Sequence, residues 1–136
     1  MKFTNESMKQ SLDSFGENYK YPIFASIDCE TGFFTRRYKT HMGFTAVTDT
    51  GKLLVADYSA LGTAEKKYIF SSDQRKKFKI KKLALLPVYT VKSVFIADGK
   101  KFRLDMTISL QVANSDFTEQ EENAVNFIET LKDWQI

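Results

Sequence analysis

Apolar positions along this chain change their period twice. Between residues 3 and 16, Met8, Leu12 and Phe15 recur at i, i+4 and i+7. That spacing predicts a short helix with one apolar stripe, and Gly16 suits the position just past its end. From Tyr21 onward the period shortens, because Pro22 ends any helix and the chain breaks into short alternating runs. Strands are expected near 22–28, 32–38, 43–49, 52–58, 66–71, 77–82, 90–97 and 101–108. The turns between them fall at Glu30-Thr31-Gly32, Asp49-Thr50-Gly51, Ser59 to Thr63, Ser72-Asp73-Gln74 and Ala97-Asp98-Gly99.

The sharpest hairpin signal is Asp98-Gly99, which supplies the positive φ angles a tight turn needs between Val94-Phe95-Ile96 and Phe102-Arg103-Leu104. Alternation then continues through Phe102, Leu104, Met106 and Ile108, with Arg103, Asp105 and Thr107 on the opposite face.

The helical period returns at the end. Ala124, Phe127, Ile128, Leu131 and Trp134 make a stripe wide enough to cover a sheet. Thr118 and Glu121 have capping-box spacing. Glu119, Glu121 and Glu122 at the start and Lys132 at the finish favour the helix dipole. The order is helix, seven or eight strands, helix. This predicts an α+β, mainly β fold: an antiparallel barrel or two-sheet sandwich capped by the C-terminal helix. Residues 1–19 carry the extra N-terminal helix and residues 20–136 the body of a single domain.

A length of 136 residues is enough for one core without disulfide or metal support. Twelve Phe and six Tyr fit a strand-rich interior. One cysteine (Cys29) and one histidine (His41) exclude the usual Cys/His zinc clusters and any internal disulfide. The start of the chain is polar after Lys2, and the longest apolar run, Leu83 to Val88, contains Pro87. Neither matches an export signal or a membrane span, so a cytoplasmic protein is expected. Asn5-Glu6-Ser7 then matches the glycosylation sequon by chance.

Charge changes the picture more than composition does. Residues 1–64 are neutral, residues 65–103 carry +9 and residues 104–136 carry −6. The basic block centres on Arg75, Lys76, Lys77, Lys79, Lys81 and Lys82. On a strand, Lys77, Lys79 and Lys81 share one face while Phe78 and Ile80 point to the core. Arg75, Lys76, Lys77, Lys79 and Lys81 are therefore the candidate site for an anionic ligand, including an anionic lipid surface. The same comb also suits a solubilising outer face, an edge strand guarded by lysine, or pairing with the acidic C-terminal helix within or between subunits.

Catalytic patterns are sparse. Asp49-Thr50-Gly51 matches the tripeptide of aspartic proteases, which need two such carboxylates; Lys52 follows where a small residue is usual, and a plain hairpin turn accounts for the same residues. Asp28 and Glu30 flank Cys29 at i, i+2 spacing. Cys29 as a nucleophile would want His41 as its base, and no third orienting residue is identifiable; a buried, inert thiol is the alternative. Arg36-Arg37 among Phe33, Phe34 and Tyr38 imitates a nucleic-acid stacking platform without the fuller signatures. There is no Gly-rich phosphate loop, Gly-x-Ser-x-Gly elbow or His-Glu-x-x-His helix.

In this order the β region and terminal helix resemble a bacterial pleckstrin-homology-like (PH-like) domain. The resemblance is carried by Phe44-Thr45-Ala46-Val47-Thr48-Asp49-Thr50-Gly51-Lys52-Leu53-Leu54-Val55, by Leu86-Pro87-Val88-Tyr89-Thr90-Val91-Lys92-Ser93-Val94, by Gly99-Lys100-Lys101-Phe102-Arg103-Leu104, and by the helix from Glu121 to Trp134. It implies two near-orthogonal sheets of about seven strands, one open end plugged by the helix. It also implies a binding or scaffolding module, not an enzyme; no cofactor or metal is expected. Eukaryotic relatives place phosphoinositide-binding basic residues on the first hairpin. Here only Arg36, Arg37 and Lys39 lie there, so those ligand roles are not carried over. The expected partner is a protein or a second copy of the chain. An anionic membrane surface gripped by the basic block is the first alternative, weak nucleic-acid binding the second, and a hydrolase built on Asp49 or Cys29 the third; no specific nucleic acid is expected.

Overall fold

The computed structural model describes residues 3–31, 42–58, 65–112 and 116–136. The first helix, α1, runs Asn5–Asp13 and is started by Thr4, whose hydroxyl accepts from the Ser7 amide while the Ser7 hydroxyl accepts from the Thr4 amide. Met8 and Leu12 are its buried stripe, and Gly16 follows at φ +73°. Seven strands then follow among the described residues: β1 Tyr19–Thr31, β2 Met42–Thr48, β3 Lys52–Tyr58, β4 Glu65–Ser71, β5 Arg75–Lys82, β6 Val88–Ala97 and β7 Lys100–Ser109. The closing helix, α2, is Gln120–Leu131 and continues as a single 3-10 turn through Lys132–Trp134.

The expected strands thus appear within a few residues of their positions, except the one at 32–38, which lies outside the described residues together with the 59–63 turn. Asp98 and Gly99 make the predicted tight hairpin at φ +53° and +75°. Pro22, expected as the first residue of its strand, sits inside β1, which begins three residues earlier at Tyr19. The register against β2 slips between Lys20 and Ile23, and such a bulge is where a strand tolerates proline. The predicted Thr118–Glu121 cap does not form: Glu119 is the N-cap residue and makes no side-chain cap bond.

All seven strands form one antiparallel sheet in the order β4-β3-β2-β1-β7-β6-β5. β1 is long because it serves two neighbours. Its first part, to Ser26, pairs with β2, and its second, from Ser26 to Thr31, pairs with β7. The sheet curls until its inner face closes on itself: Phe70 of β4 stacks on Phe95 of β6 at 4.4 Å between ring centroids.

Alternation assigns two faces to this curled sheet. The inner face carries Ile27, Val55, Phe70, Phe78, Phe95 and Met106 and is filled by Phe127, Ile128, Leu131 and Trp134 from the closing helix. The outer face divides in two. On β1–β2–β3 it is apolar, with Phe24, Phe44, Leu54 and Tyr58, and α1 and Phe117 cover it. This explains why β2 and β3 are buried on both faces and read as near-continuous apolar runs. On β5–β6–β7 the outer face is polar. No helix among the described residues is long and apolar enough to cross a membrane.

Candidate functional site

The polar half of the outer face is assembled by strand register. Lys79 on β5 stands opposite Lys92 on β6, Lys92 opposite Asp105 on β7, and Asp105 opposite Asp28 on β1. One row away, Lys77 is opposite Val94, Val94 opposite Arg103, and Arg103 opposite Glu30. Charge therefore grades across the sheet, from carboxylates on β1 to lysines on the far strand.

The middle of this face is already neutralised. Arg103 Nη2 lies 2.6 Å from Glu30 Oε2, and its Nε is 3.6 Å from Asp105 Oδ2. Beyond it, Lys76, Lys77, Lys79, Lys81, Lys82 and Lys92 are exposed. None of the six is ion-paired to another described residue. Lys76 occupies the register slip between Arg75 and Lys77. Together with Val94, Phe78 and Ile136, several of these lysines line an open groove of about 480 Å³.

Arg75, grouped with the lysines by sequence, does something different. Its Nε donates to the Trp134 carbonyl at 2.8 Å and its guanidinium also donates to the Ser72 carbonyl. It fastens the end of the closing helix to the start of β5 and is committed there. The residues just beyond it run along the same strand: the Ile136 amide donates to the Phe78 carbonyl at 3.2 Å, and the Ile80 amide donates to Gln135 Oε1 at 3.0 Å. Part of the outermost strand's free edge is thereby occupied.

The other candidates are scattered. Asp49 is exposed in the β2–β3 turn, where Gly51 takes φ +79° and Thr48 Oγ1 accepts from the Lys52 amide at 2.9 Å. Cys29 is buried on the inner face of β1 beside Tyr68 and Asp57. Burial, reinforced by the Asp57 charge, pushes its thiol up to about 12, the opposite of what a nucleophile needs. Asp28 and Glu30 project from the other side of β1, away from that thiol. His41, Arg36, Arg37 and Lys39 lie outside the described residues. Among the described residues, no three His, Cys, Asp or Glu side chains converge to hold a metal.

Lys82 belongs to the basic block read from the sequence but not to its five candidate site residues, and Lys92 belongs to neither. Lys92 joins the site only once the β5–β6 register sets it against Lys79; the signal was present in its polar position within an alternating strand. Compared with known proteins, the chain matches no protein-family model and no curated protein.

Proposed function

We propose that this chain is a non-catalytic binding module of the PH-like kind, which engages an anionic partner through the outer face of β5 and β6. The PH-like part is supported by seven antiparallel strands in this order, a long first strand shared by two sets of neighbours, and a terminal helix against the inner face. The binding part rests on one observation: six exposed lysines stand together without acidic partners among the described residues, four of them (Lys77, Lys79, Lys81 and Lys92) on the half of the outer face that α1 leaves open. Lysines facing each other across a strand pair cost stability, and an anion between them removes that cost.

Sequence alone put a protein partner or self-assembly ahead of a lipid surface. The exposed outer face of α2, with Glu121, Glu122 and Glu129, gives self-assembly a specific form, in which the acidic helix of one copy meets the lysines of the next. Light scattering tests that form directly, since it requires a mass above 15.7 kDa that falls with added salt.

Retention on immobilised heparin tests the anion-binding reading. The wild type should be retained and should elute with salt. The variant with Lys77, Lys79 and Lys81 all replaced by Gln should pass through while keeping its folded circular dichroism. Equal retention of both proteins removes the reading.

A further inference from the structure

The β5–β6 hairpin ends in a tip whose chemistry differs from the rest of the surface. Residues 83–87 read Leu-Ala-Leu-Leu-Pro. The Leu83 amide donates to the Val88 carbonyl at 2.9 Å and closes the loop, and the Leu110 amide donates to the Pro87 carbonyl at 2.8 Å and holds its base. Between these two anchors, Leu85 is 100% exposed and Leu86 is 53% exposed. Leu85 is also held at φ +68°, a left-handed conformation that a leucine seldom adopts and that glycine would accept freely. A fully solvated leucine in a strained backbone gains nothing from its own fold.

Along the hairpin that carries the tip, charge has one sign. From residue 74 to residue 97 the chain carries seven basic side chains and no acidic one. Lys81 and Lys82 sit immediately beneath the leucines, exposed, with Lys79 a further two residues along the strand. Apolar side chains at the extremity over a collar of lysines match a bilayer surface made of an acyl layer beneath anionic headgroups.

We infer that the β5–β6 tip docks on an anionic lipid bilayer, with Leu85 and Leu86 entering the boundary between headgroups and acyl chains. Lys79, Lys81 and Lys82 then lie at headgroup level. This deepens the anion-binding reading and rests on it. An acidic protein surface would satisfy the lysines but would leave the two leucines in water, which is why the bilayer is the occupant. Insertion is shallow and salt-sensitive, because two leucines alone make a weak anchor and the lysines supply the rest.

Co-sedimentation of the full chain with vesicles of phosphatidylcholine and phosphatidylglycerol, against phosphatidylcholine alone, tests this, with heparin retention measured on the same preparations. The wild type should pellet with the anionic vesicles at low salt and stay bound when duplex DNA is added. Replacing Leu85 and Leu86 by Ser should weaken vesicle partitioning by roughly tenfold or more. Heparin retention of that variant should be unchanged, since both side chains are exposed and no charge is altered. A serine variant that pellets like the wild type overturns the insertion. So does a wild type that DNA strips from the vesicles, or one that heparin retains and vesicles do not. A wild type that binds neither probe overturns the reading of the basic face itself.

Discussion

Gln120 holds the backbone of Phe24 by both ends of its amide: its Oε1 accepts from the Phe24 amide at 3.1 Å and its Nε2 donates to the Phe24 carbonyl at 2.9 Å. The same Nε2 also donates to the Ser109 carbonyl at 2.9 Å, and Asn123 one turn later donates to the Pro22 carbonyl at 3.2 Å. β1 is short of backbone partners just there: its ladder with β7 begins only at Ser26 opposite Thr107, and the bulge between Lys20 and Ile23 interrupts its ladder with β2. Two amide side chains from the closing helix thus take over bonding that the strand gives up. Gln120 is 4% exposed, so its removal leaves polar backbone groups with poor access to water. Gln120→Leu should destabilise the fold by about 2–4 kcal/mol in urea unfolding. A loss below about 1 kcal/mol would mean that the end of the β1–β7 ladder does not depend on the clamp.

Gly43 is fixed by close approach of β2 and β3. A Cβ built on it would lie 2.0 Å from the carbonyl oxygen of Ala56, and its φ is not in the left-handed region. Gly51, by contrast, has open space around it but φ +79°. Gly43→Ala should therefore cost about 3 kcal/mol or more, through a forced shift of backbone. Gly51→Ala should cost only about 1–2 kcal/mol, through its dihedral angles. Thermal unfolding of the two variants side by side gives the order; a reversed order would place the strain in the turn.

The elements legible in the sequence were those whose signal is local. Asp98-Gly99 specifies a turn by dihedral preference alone, and Ala124 to Trp134 specifies a buried helical face by spacing alone. What the sequence left hidden depends on partners far along the chain. Thr118 and Glu121 have a cap's spacing, yet the helix begins where Gln120 meets Phe24, nearly a hundred residues away. Arg75 looked like one more member of a basic cluster until the fold brought Trp134 to it. Lys92 looked isolated because its neighbour Lys79 lies across a strand pair.

That difference between Arg75 and the lysines has measurable consequences. Arg75→Gln should destabilise by about 1–3 kcal/mol, through the lost charge-assisted bonds to the Trp134 and Ser72 carbonyls. It should change heparin retention no more than any single charge does. Lys79→Gln should leave stability unchanged or raise it by up to about 1 kcal/mol, because it relieves the facing pair with Lys92. If Lys79→Gln destabilises more than Arg75→Gln, the roles of the two residues are exchanged.

A buried thiol and a half-buried phenol on the inner face make stability fall in alkali. Burial raises the Cys29 thiol from 9.0 to about 12 and the neighbouring Tyr68 hydroxyl from 10.0 to about 12. In the unfolded chain both groups ionise at their ordinary values, so the unfolded state loses protons first. The contribution to stability is complete below about pH 9 and is lost as pH rises toward 12. Urea midpoints should decline across that window, and Cys29→Ala should flatten the lower part of the decline. Below pH 9 the native thiol should react with a thiol-specific reagent only as fast as the protein opens. Rapid reaction of the folded protein at neutral pH would contradict the buried, neutral thiol.

The strain at Leu85 separates what the fold wants from what the surface does. Its side chain is fully exposed, so replacing it removes no packing, while glycine releases the left-handed backbone. Relief of about 1–2 kcal/mol is partly offset by the extra freedom glycine gives the unfolded chain, about 0.5–1 kcal/mol. Leu85→Gly should therefore raise stability by roughly 0.5–1 kcal/mol, read as a higher melting temperature. The same substitution should weaken partitioning onto anionic vesicles, because it deletes the most exposed apolar group at the tip. Gain of stability with loss of vesicle binding is the pattern of a residue kept for its surface. A variant that melts lower would mean that the loop backbone is held by leucine itself, and a variant more stable yet equally bound would leave Leu86 as the only apolar contact.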